Sequence, residues 1–108
     1  MTDLILIYMT CDNIDQAKQL SKLLLNKRLC TCVNIFPNMN PLYWWPPHEN
    51  KLSESPEVSL IVKTLENKFD QIEKEVKLFL KLETVCVIAI PVTKVSKEFY
   101  NWIKGEIQ

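Results

Sequence analysis

The stretch "CTCVNIFPNMNPLYWWPPHENKLSESPEVSLIVKT", residues 30–64, decides how this chain folds. It carries two strand-like runs in succession with no helical pattern between them. "CTCVNIF", 30–36, and "EVSLIVKT", 57–64, are rich in β-formers. Between them Pro37 and "NMNP" interrupt, "LYWW" at 42–45 resumes in β-favouring residues, and "PPHENKLSESP" reads as a loop. Proline cannot donate to a ladder, so Pro37 and Pro41 imply an edge position, a bulge or a sharp bend. "LYWW" reads as the far end of a long edge strand, stopped by Pro46 and Pro47.

A strand and a helix lie on the N-terminal side of this pair. "DLILIYMT", 3–10, is apolar, rich in β-formers and too short for a typical helix, so it is a buried first strand. "CDNIDQAKQLSKLLLNKRL", 11–29, follows with Asp12 or Asn13 as N-cap and Asp15 in the first turn. Ile14, Ala17, Leu20, Leu23 and Leu24 recur at helical spacing, and Lys18, Gln19 and Lys22 fall outside that stripe. Lys27 and Arg28 close the helix where cations suit its dipole.

The C-terminal side mirrors it. "LENKFDQIEKEVKLFLKL", 65–82, is a second amphipathic helix carrying Phe69, Ile72, Val76 and Phe79 or Leu80. "TVCVIAIPV", 84–92, is a second buried strand. "SKEFYNWIKGEI", 96–107, is a short helix with Ser96 as N-cap, Phe99, Trp102 and Ile103 on one face, and Gly105 near its end. The order β-α-β-β-α-β plus a terminal helix is the ferredoxin-like, α+β arrangement, an antiparallel sheet with both helices on one face. Residues 1–108 form a single domain of common size. In that topology the first and third strands are central. Two helices cover one sheet face only, yet the first and last strands are apolar at nearly every position. Self-association through the open face is the economical answer.

Composition narrows the function. Acidic and basic side chains number 13 each. The balance argues against nucleic acid or an anionic membrane as partner, since both reward a clustered basic surface. The single glycine excludes a phosphate-cradling loop and hence a nucleotide cofactor held that way. One histidine removes most zinc sites and most histidine-based catalytic arrangements, so the reading is non-enzymatic. Asp3 sits where the positive region of a secretory signal belongs, and no apolar stretch approaches the ~18 residues of a bilayer span. The four cysteines lack the density of a disulfide scaffold and read as reduced thiols in a cytoplasmic protein.

"CVNIFP" at 32–37, "YWW" at 43–45, "EVSLIVKT" at 57–64 and "IPV…YNWI" at 90–103 resemble the CutA divalent-cation tolerance family, in order along nearly the whole chain. The resemblance implies a ferredoxin-like homotrimer, similar to the PII-type signalling trimers, and association with copper and other divalent cations. It also shows departures. The family's His-Pro-Tyr-Glu stretch is here Leu80, Lys81, Leu82 and Glu83, and Asn38 stands where a glycine is usual. Asparagine tolerates the positive φ of such a position.

The sulfur residues are the first candidates for metal chemistry. Cys30 and Cys32 on one strand project from one face, about 7 Å apart. Soft thiolates select Cu(I) or zinc, whereas a buried reduced cysteine is equally a small hydrophobe. Only Cys32 matches the family's cysteine, and Met9 falls by alignment on a soft position, so the resemblance nominates Cys32 and Met9 as metal ligands. Cys86 belongs to the opposite edge strand from Cys32. His48 is a lone imidazole in a proline-bounded loop, a weak site.

Tyr43 and Trp45 point one way along a strand and Trp44 the other, which suits a subunit interface or an aromatic cage for a small cation. Glu57, Lys63 and Glu83 fall on family-matching positions and suit a polar inter-subunit cleft or inter-chain pairs. The function that follows is homotrimeric divalent-cation tolerance with copper or other metal binding. The alternatives are a PII-like trimeric sensor of a small ligand, or a structural, anchoring trimer acting through a partner protein.

Overall fold

Strand β1 (Leu4–Cys11) alternates between two environments, and that alternation organises the molecule. Ile5, Ile7, Met9 and Cys11 are buried on one face, Ile7 and Met9 completely. The structure is a computed structural model and describes residues 2–107. After β1 come α1 (Ile14–Asn26), β2 (Cys32–Met39), β3 (Leu42–Trp44), β4 (Leu52–Glu54) and β5 (Glu57–Leu65). A 3-10 turn (Glu66–Lys68), α2 (Phe69–Leu80), β6 (Val87–Pro91) and α3 (Lys97–Glu106) complete the chain. The main sheet has the order β2-β5-β1-β6 with every pair antiparallel, which is the ferredoxin-like topology.

The register assigns each face. Ile5, Ile7, Met9 and Cys11 stand opposite Thr64, Val62, Leu60 and Val58 of β5, all buried. Helix α1 brings Ala17, Leu20 and Leu24 to this face, and α2 brings Ile72 and Val76. Each large side chain enclosed there stabilises the fold by about 1.5–3 kcal/mol. Helix α1 starts where the Asn13 Oδ1 accepts the Gln16 N–H at 2.8 Å. The buried Thr64 hydroxyl donates to the Leu29 carbonyl, so its polar atom is not orphaned.

Helix α3 covers only one end of the other face. There Ile103 packs with Leu4 and Leu65, while the Lys63 ammonium sits 5.5 Å from the centre of the Phe99 ring. Phe36, Ile88 and Ile90 on the rest of that face stay exposed, at 47%, 54% and 47%.

Two expectations need correction. "LYWW" is not the end of a long edge strand. Strand β2 stops at Met39 after a break in register between Phe36 and Met39, with Pro37 and a positive-φ Asn38 inside it. Strand β3 then pairs with β4, drawn from the expected loop, in a separate two-stranded ribbon. The ribbon accounts for a longest dimension of 46 Å against 26 and 24 Å. It also accounts for a radius of gyration of 14.8 Å, where a compact chain of this length has about 13 Å. The second helix begins at Phe69, since the preceding residues form the 3-10 turn. Gly105 lies near the end of α3, as expected, inside its last turn and without positive φ.

Candidate functional site

The two central strands and the ribbon enclose a cleft of about 700 Å³. Its floor is the C-terminal end of β1, with Tyr8, Thr10, Cys11 and Asp12, joined by Gln16 of α1. One wall is the β2–β3 turn and ribbon, with Met39, Pro41, Leu42, Tyr43 and Trp45. The opposite wall is the end of α2 and the segment leading to β6, with Leu80, Leu82, Thr84, Val85 and Cys86. Glu57, the first residue of β5, stands opposite Met39 and reaches the cleft from the sheet end.

Local chemistry explains how these residues arrive. Lys81 takes a left-handed conformation (φ 58°) at the end of α2, and its N–H bonds the Lys77 carbonyl. That ends the helix and swings Leu82 through Cys86 back over the sheet. On the other wall, the β3 pleat sends Tyr43 and Trp45 to the cleft while Trp44, 67% exposed, stays outside. The Ser53 hydroxyl donates to the Trp45 carbonyl at 2.8 Å and steadies the ribbon at that residue.

The thiols divide sharply. Burial pushes the Cys11 thiol up to about 11, with the Asp12 and Glu57 carboxylates adding to the effect. Burial pushes Cys30 up to about 12. Cys86 is also raised, first by burial, with a Thr10 hydrogen bond lowering it and the Glu57 charge raising it. Cys11 and Cys30, buried and neutral, are poor nucleophiles at neutral pH, whereas the Cys86 side chain is exposed.

The nominated metal pair is not brought together in one chain. Cys32 stands opposite Lys63 on β5, whereas Met9 stands opposite Leu60. The offset is about 10 Å along the strand alone. The odd step between those positions also places the two side chains on opposite faces, Met9 in the sealed core and Cys32 half-buried on the face toward α3. Cys30 and Cys32 differ from expectation too, because β2 begins at Cys32 and Cys30 lies buried before it. Among the described residues no three or more His, Cys, Asp or Glu side chains are grouped to hold a metal ion.

The remaining candidates scatter. Glu57, Tyr43 and Trp45 share the cleft, Lys63 lies on the outer sheet face, and Glu83 is exposed before β6 without lining the cleft. His48 is exposed at the ribbon tip with φ 64°. Sequence reasoning missed Tyr8, Asp12, Gln16 and Leu82 as cleft residues. Once β1 and β5 are paired, Asp12 follows from the register, one step beyond Cys11 opposite Val58.

A ferredoxin-like sheet with a projecting ribbon is an α+β fold that solved divalent-cation tolerance proteins share. The chain belongs to the CutA1 divalent ion tolerance protein family, whose model matches residues 5–106. A divalent-cation tolerance protein CutA from Archaeoglobus fulgidus is 38% identical over 94% of this chain and 96% of its own length. A rice chloroplastic protein, CutA 1, is 32% identical over 94% of this chain, which spans 55% of that longer protein. Among solved structures, the A. fulgidus protein, described as periplasmic, superposes with a TM-score of 0.91 at 37% identity, covering 97% of this chain and 99% of its own. The rice structure gives 0.91 at 30% identity, covering 97% and 94%.

Proposed function

We propose that this protein acts in divalent-cation tolerance as a non-enzymatic homotrimer that contacts copper or another metal through Cys32. The observation that carries the assembly is the uncovered apolar face. Phe36, Ile88 and Ile90 are about half exposed on a sheet whose other face is sealed. A projecting ribbon with exposed Leu42, Trp44 and Leu52 offers a second surface for a neighbouring chain. Cys32 opens onto the face where copies would meet, while Cys11 and Cys30 are enclosed. Met9 takes no part in metal binding on this reading, because it is walled into the core. Four unpaired cysteines support a reducing, cytoplasmic setting.

Light scattering with a copper titration tests both halves. A mass of three chains, with copper uptake lost in Cys32→Ala, supports the reading. A mass of 12.7 kDa at micromolar concentration overturns the assembly. Unchanged copper uptake in Cys32→Ala overturns the ligand.

A further inference from the structure

We draw no further inference here: the strongest candidate, the cleft at the root of the ribbon, shares Tyr8 and Leu42 with the sheet face and ribbon given to neighbouring copies, and nothing in the structure shows what its two carboxylates, Asp12 and Glu57, would hold.

Discussion

Replacing Ile88 with glutamate tests the uncovered sheet face most directly. Ile88 stands opposite Tyr8 in the β1–β6 ladder, is 54% exposed, and belongs to neither core cluster. In an isolated chain this is a surface change, within about ±0.5 kcal/mol of neutral. In a trimer closed through that face, the exposed half of the side chain becomes buried. Full burial of an isoleucine is worth about 1.5–3 kcal/mol, so the remaining half contributes about 1 kcal/mol per copy. Glutamate forfeits that contribution and adds the desolvation of an unpaired carboxylate, several kcal/mol per copy. Over three copies the loss is on the order of 10 kcal/mol, and every 1.4 kcal/mol is a factor of ten in association. Ile88→Ala then weakens the trimer and Ile88→Glu dissolves it at micromolar concentration. Light scattering reads the mass while circular dichroism confirms the fold. An Ile88→Glu variant that keeps a three-chain mass with an unchanged melting curve refutes the reasoning, because its carboxylate must then face water.

Met9→Ala opens a cavity at a fully enclosed position and is expected to cost about 2–5 kcal/mol in denaturant unfolding, with Met9→Leu costing under about 1.5. Copper titration of the folded Met9→Leu variant should match the parent, since the thioether is sealed away. Alkaline pH supplies another test. Cys11 and Cys30 are raised from 9.0 to about 11 and about 12, so above pH 9 the unfolded chain releases protons that the folded chain retains. Their contribution is full below pH 9 and is lost as pH rises toward 11–12, at about 1.4 kcal/mol per unit for each thiol. Urea midpoints that stay flat over that window in the parent, or that fall equally in a Cys11→Ala, Cys30→Ala double variant, refute the assignment. Lys81→Gly relieves a left-handed residue at the end of α2 and should raise stability by roughly 1 kcal/mol in urea unfolding.

The helices were legible because their signals are long. Leu20 and Leu24 sit at helical spacing in α1, and both are fully buried. Asn13, one of two residues read as the cap, makes the capping bond. The ribbon was hidden for the opposite reason. A strand of three residues, Leu52–Glu54, is too short for a period to show, and it lies among residues whose composition signals a turn. The sulfur pair failed on parity. Spacing along the chain says nothing of which face a residue takes until β1 and β2 are both registered on β5, and there Met9 and Cys32 part. The cleft is assembled from five separate segments, so Leu82 and Tyr8 could meet only once the strand order was fixed.

The strand order has a further consequence for a broken chain. A single nick at the ribbon tip, between Pro47 and His48, leaves β1, β2 and β3 in one fragment and β4, β5 and β6 in the other. Across the sheet, β2-β5-β1-β6 then alternates fragment by fragment, and β3 pairs with β4 across the cut. All four ladders, including that of the ribbon, join one fragment to the other. The two pieces are interleaved like the fingers of clasped hands, and neither keeps a sheet of its own. Proteolysis at this exposed tip should therefore leave a noncovalent pair that still melts as one cooperative unit, and coexpressed halves should find each other in the same way.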